Sequence, residues 1–532
     1  MNLKTRLMDA VRSAVSVEQM PEIFWQVPKR PDLGDLSTNI AMLLAKPLGK
    51  NPRDIAQQLV DEVDWDKLGV KRVEIAGPGF INIFLGPRYY QNVVSEIVSQ
   101  GAEYGRSDSG GGKKIIVEFV SANPTGPLNV VSARAAATGD SIVRILRKAG
   151  YAADAEFYVN DAGRQIRRLG ESIIARTKGL EPPEDGYHGE DVIARAKHLY
   201  PDGVVPDNLD PEEVGRKAAE LNVQGQKAVL ESYGVHFDRW YRESELHASG
   251  APEKTLEELK ACGAIEEKEG ALWFTGSRYG DEEDRVVVTS EGRPTYLLPD
   301  IAYHLDKANR GYDHAVDLLG PDHHDYVGRM KAALKALDRE DFLDVIIVQQ
   351  VNLLSSGEKV KMSKRAGKLV TLEELVDEVG KDVTRYFFLQ RKTSSPLDFD
   401  LDLAKEQSDR NPVFYVQYAY TRISGILRQD GCPVPSAEAD LGKLTGDAEI
   451  ELVKHLEQFP EQVARAAETF EPQKLVSYLA EIATRFHKFY TAHRVVGVED
   501  DLSLARATLA EAARIVLKEG LSLLGVSAPE RM

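Results

Sequence analysis

Cysteine is nearly absent from the 532-residue sequence, which holds only Cys262 and Cys432. Two distant thiols make neither a disulfide framework nor a zinc cluster, and they point to a reduced, cytoplasmic setting. Long apolar runs are missing as well. No stretch approaches the ~20 residues of a membrane span. The start, Met1 to Glu18, breaks its apolar residues with Lys4, Arg6, Asp9 and Arg12 and builds no signal-peptide core. No membrane partner is expected. Positive charge is not in excess either. The formal net charge of −17 argues against wholesale coating of nucleic acid, yet a local basic track on an acidic protein still binds phosphates. Internal repeats and low-complexity tracts are absent. Hydrophobic residues at 42% and charged residues at 28% are ordinary globular usage and exclude a collagen-like or wholly disordered chain. Histidine is missing from the first 187 positions, although the chain holds 11 from His188 onward.

What is present divides into units, and the length suits roughly three or four domains. Residues 1–105 read as an α+β domain. Helical periodicity in 40–48 and 55–63 flanks the turn Pro47–Pro52, and alternating strands at 73–75 and 80–84 flank Gly77-Pro78-Gly79. A Ser/Asp/Gly linker runs from Gly105 to Gly112. The second unit, 113–405, opens with the β-branched run Lys114–Val120, a Pro/Gly loop from Ser121 to Pro127, and a helix over about 131–150. Residues 165–270 are polar and mostly helical, which predicts insertions into the sheet domain. Strand patterns return at 285–289, 315–319 and 345–348. Strands separated by helices predict a Rossmann-like, doubly wound parallel sheet. From 406 to 532 the pattern is an α-helical bundle, with amphipathic stretches at 449–470, 473–490 and 503–524.

The sharpest chemical signal is Lys361-Met362-Ser363-Lys364-Arg365, on a loop after a Ser-Ser-Gly turn. Two ammonium groups three positions apart, with a hydroxyl between, suit a triphosphate, because mobile lysines follow charge developing on departing pyrophosphate. A solvated basic loop has the same composition, and the surroundings decide between them. Those surroundings include Gly34-Asp35-Leu36-Ser37-Thr38-Asn39, Ala76–Asn82, Glu118-Phe119-Val120-Ser121-Ala122-Asn123-Pro124-Thr125-Gly126, Tyr158–Gly163, Thr295–His304, Asp398-Phe399-Asp400, Asn411-Pro412-Val413, Val416–Ala419 and Leu524–Met532. In this order they resemble a class I aminoacyl-tRNA synthetase, and across essentially the whole chain an arginyl-tRNA synthetase of the bacterial type.

The resemblance implies a tRNA-contacting N-terminal domain, a Rossmann-like catalytic domain and a helical anticodon-binding domain. It implies arginine, ATP with Mg2+ and an arginine-accepting tRNA as ligands of a monomer, with no resident metal. Lys361, Ser363 and Lys364 would stabilise the reacting phosphates, helped by the segment at Asn129 and Ser132. Asn123, Pro124, Thr125, Gly126, Val131, Gly320, Asp322, His323 and Met362 would contact the nucleotide. Glu118, Asn123, Tyr296, Asp300 and His324 would contact arginine, whose guanidinium needs planar carboxylate partners. Phe80 and Asn82 in the first domain, and Tyr418 and Arg422 in the bundle, would meet tRNA.

The sequence departs from that family at two places. Where the family carries His-x-Gly-His, this chain reads Asn129-Val130-Val131-Ser132. Asn129 keeps an amide donor, Ser132 is shorter, and the branched Val131 fills space that adenine would need. Loss of one such phosphate donor typically costs about 10²–10³ in rate. The second departure is Asp325, where the family has glycine after Asp322-His323-His324. The adjacent histidines have no cysteine or carboxylate cluster beside them and make a weak zinc site. Two functions remain open on these residues. One is arginine–tRNA ligation through arginyl-adenylate. The other is an impaired or inactive paralogue that binds arginine or tRNA without ATP chemistry. A drifting pseudoenzyme is expected to lose both signatures, so the kept Lys361–Lys364 loop favours an ATP-linked role.

Overall fold

The computed structural model describes residues 3–17, 19–28, 30–206, 208–360 and 371–532. Lys361, Met362, Ser363 and Lys364 lie outside the described residues. The first unit comprises α1 (Leu3–Ala14), β1 (Leu36–Thr38), α2 (Ile40–Leu48), α3 (Pro52–Glu62), β2 (Val70–Ala76), β3 (Phe80–Leu85) and α4 (Pro87–Gln100). Its strands form an antiparallel sheet ordered β1-β3-β2. Helix α2 stops because Gly49 turns left-handed at φ 60°, and α3 starts because Asn51 accepts a bond from the Arg53 N–H with Pro52 in the first turn.

The central unit runs β4 (Lys114–Glu118), α5 (Val130–Lys148), β5 (Ala152–Val159), α6 (Arg164–Thr177), α7 (Glu190–Leu199), α8 (Pro211–Ser232), β6 (Arg239–Arg242), α9 (Glu243–Ala248), α10 (Ala251–Ala261), β7 (Ile265–Lys268), β8 (Ala271–Phe274), β9 (Arg285–Val288), α11 (Leu297–Asn309), β10 (His314–Leu319), α12 (His324–Ala336) and β11 (Leu343–Ile347). It continues through β12 (Val351–Ser355), β13 (Glu358–Lys359), α13 (Leu372–Val379), α14 (Lys381–Leu389), β14 (Leu397–Asp400) and α15 (Leu401–Lys405). The main sheet is parallel throughout and ordered β11-β10-β4-β5-β6. From β4 the chain winds outward through β5 and β6 on one side and β10 and β11 on the other. The switch point therefore lies between the carboxyl ends of β4 and β10, where such sheets bind ligands.

Three expectations need correction. The strand at 285–289 is β9, and it closes an antiparallel β7-β8-β9 sheet rather than joining the parallel one. Its partner is the local hairpin, which the polar composition of 265–274 concealed. The stretch 165–270 is not all insertion: β6 within it forms the edge of the main sheet beside β5. The helical stretch 449–470 is two helices: one ends at Leu456, and the next begins at Phe459 with Pro460 in its first turn.

Helix α5 crosses the sheet and is buried along most of its length. Its small residues are steric requirements: a Cβ on Gly139 would meet the Phe119 ring at 2.1 Å. The last unit packs α16 (Pro412–Leu427), α17 (Asp447–Leu456), α18 (Phe459–Thr469), α19 (Gln473–Ala492) and α20 (Asp500–Leu523) as a bundle. Fully buried Arg385 joins it to the sheet unit. Its guanidinium pairs with Asp140 on α5 and donates to the carbonyls of Tyr233, at 3.4 Å, and Leu524, at 3.0 Å. A buried guanidinium is tolerable only with such a full set of acceptors. Among the described residues no helix is long and apolar enough to cross a membrane.

Candidate active site

A cleft of about 1030 Å³ opens at the switch point. Glu118 ends β4 there, and Asp317, Leu318 and Leu319 bring β10 to its rim. The loop after β4 makes one wall with Asn123, Thr125 and Gly126, while Pro124 is buried behind it. Val120 and Ser121 hold φ values of 70° and 38°, a left-handed stretch that costs a β-branched residue most. Two hydrogen bonds fix the kink. Ser121 Oγ donates to Glu118 Oε1 at 2.8 Å and accepts the Tyr158 N–H at 3.1 Å.

Asn129, Val131 and Ser132 all line the cleft. Asn129 is the N-cap of α5: its Oδ1 accepts the Ser132 N–H at 2.8 Å, which leaves the amide NH2 as its donor end. The positive end of a 19-residue helix thus meets the cavity at Asn129–Ser132, as an anion site requires. Opposite, Gly320, Asp322 and His323 also line the cleft. His324 does not: it is exposed at the start of α12 and accepts from the Gln349 amide at 3.2 Å. Tyr296 is likewise separate. It is 80% exposed before α11 and absent from the cleft lining, whereas Asp300, one turn on, lines it.

Behind the cleft lies an ionic network that pattern reading did not anticipate. Fully buried Lys307 donates to Glu118 Oε2 at 2.6 Å and Asp317 Oδ1 at 2.8 Å. His304 faces Asp317 Oδ2 at 2.7 Å and the Asp300 carbonyl at 2.8 Å. Burial opposes the charge on Lys307, but Asp317 and Glu118 override it and hold the ammonium above its usual range. Burial also opposes ionisation of Asp317, and Lys307 with His304 more than offset that. Glu118 therefore has both oxygens engaged inside the protein, one by Lys307 and one by Ser121.

Two other carboxylates, Asp300 and Glu243, have no lysine or arginine paired with them among the described residues; Glu243 Oε1 faces His247 at 3.4 Å. Burial pushes Asp300 up to about 7; His304 and Arg329 pull it down, and Glu243 and Glu118 push it higher. Burial also raises Glu243, which His247 lowers only in part. Glu243 Oε2 is buried with no hydrogen-bond donor among the described residues. Glu243 begins α9 directly after β6; it does not line the cleft, but its charge acts on Asp300. Its signal was the run Phe237–Glu243, an aromatic strand ending in an acid. Among the described residues no group of three or more His, Cys, Asp or Glu is arranged to hold a metal ion.

The residues expected to meet tRNA fall into two kinds. On α16, Arg422 lies 4.6 Å over the Tyr418 ring and 5.0 Å from Tyr490, and donates to Tyr418 Oη at 2.7 Å. This aromatic–guanidinium surface suits base and phosphate contact. In the first unit Phe80 is exposed, but Asn82 is buried and accepts from Ser37 Oγ at 2.6 Å, a structural bond across β1 and β3.

A parallel sheet with a nucleotide-sized cleft at its switch point, followed by a helical bundle, is the build of a class I aminoacyl-tRNA synthetase. A Mycobacterium tuberculosis methionyl-tRNA synthetase shares that fold at TM-score 0.54 and 14% identity, over 79% of this chain and 92% of its own. Within the class, residues 1–85 match the model of the arginyl tRNA synthetase N terminal domain, and 416–532 that of the DALR anticodon binding domain. An arginine–tRNA ligase of Desulforamulus reducens is 45% identical over 560 residues, covering 100% of this chain and 99% of its own. One from Carboxydothermus hydrogenoformans is 48% identical, covering 95% and 93%. The structure of a putative arginyl-tRNA synthetase from Campylobacter jejuni aligns at TM-score 0.78 and 33% identity, over 84% of this chain and 100% of its own. The chain belongs to the arginyl-tRNA synthetase family.

Proposed function

We propose that this cleft joins arginine to Mg·ATP and then passes the arginyl group to tRNA, in a cytoplasmic monomer divided at about 105–113 and 405. The single observation that carries the site assignment is Asp300, a carboxylate that lines the cleft with no cation paired to it among the described residues, its charge reinforced by Glu243 nearby. A guanidinium supplies that cation with planar, bidentate hydrogen bonds. Asn123, exposed on the strained loop, is suited to the substrate's α-amino group, together with the outer face of Glu118. At the other end the N-terminus of α5, the Asn129 amide and Ser132 receive the triphosphate. Gly320, Asp322 and His323 frame the nucleotide, and Lys361 and Lys364 complete the phosphate contacts by family resemblance. Mg2+ arrives with ATP.

Arginine's carboxylate oxygen attacks the α-phosphorus, and pyrophosphate leaves. The ribose hydroxyl at the tRNA 3′ end then attacks the arginyl carbonyl, and AMP leaves. No side chain need act as nucleophile. The protein contributes alignment and charge stabilisation. Tyr418 and Arg422 offer the bundle's contact to the tRNA, and Phe80 that of the first domain. Arginine-dependent ATP–pyrophosphate exchange, run with and without tRNA, tests the reading. Exchange with arginine and not lysine supports it. Arginine binding without exchange under either condition reduces the cleft to an amino-acid site without ATP chemistry.

A further inference from the structure

The catalytic loop is held from behind by a helix to which neither the fold nor the comparisons assign any part in the reaction. Asn222 and Gln226 sit one turn apart on α8 and are 6% and 3% exposed. Asn222 Nδ2 donates to the Pro124 carbonyl at 2.9 Å. Gln226 Nε2 donates to the carbonyls of Asn123 at 3.1 Å and Gly126 at 2.9 Å. Three carbonyls within four residues are thus turned away from the cleft. The Asn123 side chain is left facing it.

The helix giving these bonds is itself fixed. Arg195 on α7 donates to Asn222 Oδ1 at 2.7 Å, which orients the amide with its NH2 toward the loop. Helices α6 and α8 cross with backbones touching. A Cβ on Gly170 would lie 1.7 Å from the Pro211 carbonyl oxygen, and one on Gly215 would lie 1.9 Å from that of Ile166. No side chain fits at either point, so the two helices are packed backbone to backbone there.

The loop needs such a hold. It leaves β4 through Val120 and Ser121 at positive φ, a conformation that persists only where surrounding bonds over-determine it. We infer that Asn222 and Gln226 are positioning residues for adenylate formation: they act through the backbone of 123–126, setting where the Asn123 amide and the loop stand relative to the α-phosphate. This rests on the proposed reaction and adds to it the function of the helical segment beside the sheet. A misplacement of about 1 Å at a reacting centre costs about 10²-fold in rate.

Gln226→Met and Gln226→Glu keep length and lose N–H donation, and Asn222→Asp does the same one turn earlier while retaining an acceptor for Arg195. Two measurements apply to each folded variant. In pyrophosphate exchange, kcat should fall about 10²-fold. The KM for arginine should change less than kcat, because Asp300 lies outside the loop and still holds the guanidinium. In hydrogen–deuterium exchange read by mass spectrometry, amides of 119–128 should exchange faster than in the unmodified protein while those of 300–307 do not. The Asn222→Asp variant decides the matter if the Gln226 variants fail to fold. Unchanged kcat, or unchanged amide protection in 119–128, overturns the inference. Absence of pyrophosphate exchange in the unmodified protein would instead sink the reaction assigned above. The amide-exchange arm needs no turnover and still decides whether α8 holds the loop.

Discussion

Arginine binding should depend on pH through Asp300. Burial holds this carboxyl at about 7, with Glu243 and Glu118 adding to the rise and His304 and Arg329 opposing it. An ordinary aspartate titrates near 3.9. The guanidinium requires the ionised form, so arginine competes with a proton. With the carboxyl at about 7, roughly one molecule in eleven is ionised at pH 6 and nearly all at pH 8, which makes the affinity about tenfold weaker at pH 6. At pH 7 each arginine should displace about half a proton. Calorimetry in two buffers of different ionisation enthalpy reads both the affinity and the proton count. The stability has the opposite sign. A carboxyl whose folded value is raised adds to stability below its unfolded value, and that contribution is lost as pH rises from about 4 through about 7. Asp300→Asn should therefore raise Tm at pH 8, weaken arginine binding there, and flatten the pH dependence. An affinity that stays constant between pH 6 and 8, with no proton released, would refute the assignment of Asp300 to the guanidinium.

Lys307→Met should lower stability by about 3–5 kcal/mol in urea titration, because it strands Glu118 and Asp317 as buried charges. The triple substitution Asn129→His, Val131→Gly and Ser132→His should raise pyrophosphate exchange at least ~10²-fold by returning two phosphate donors and space for adenine. It should also lower helix stability by about 0.5–2 kcal/mol, since Asn129 caps α5. Tyr418→Ala should raise the KM for tRNA by about 5- to 150-fold, the equivalent of 1–3 kcal/mol of stacking, and leave arginine affinity unchanged.

Much of this architecture was legible because its signals are local. Asn51-Pro52, Gly49 and the β-branched run at 114–118 announce their helices and strand through caps, turns and burial pattern. The segment Asn129–Ser132 stood out in the sequence, and Asn129, Val131 and Ser132 line the cleft. What pattern reading missed depends on chain pairing. Strand β6 is four residues long inside a helical stretch, and only the short aromatic run around it signals a strand; that it is the sheet's edge beside β5 depends on pairing the sequence does not show. Lys307 falls on the periodic face of α11 as one more polar residue. Only the juxtaposition of β4 and β10 turns it into the partner of Glu118 and Asp317. Asn82 shows the converse: its motif suggested a tRNA contact, and its pairing with Ser37 gives it a place in the sheet.

One cleft is proposed to handle arginine, ATP and tRNA in succession. The most direct test is the charging of a bacterial tRNA pool with radiolabelled arginine by the unmodified protein and by Asp300→Asn. The unmodified protein should make arginyl-tRNA in an ATP-dependent way, make none when lysine replaces arginine, and lose at least ~10²-fold on Asp300→Asn. Undiminished charging by Asp300→Asn, or no charging by an unmodified protein that binds arginine, would contradict the proposal.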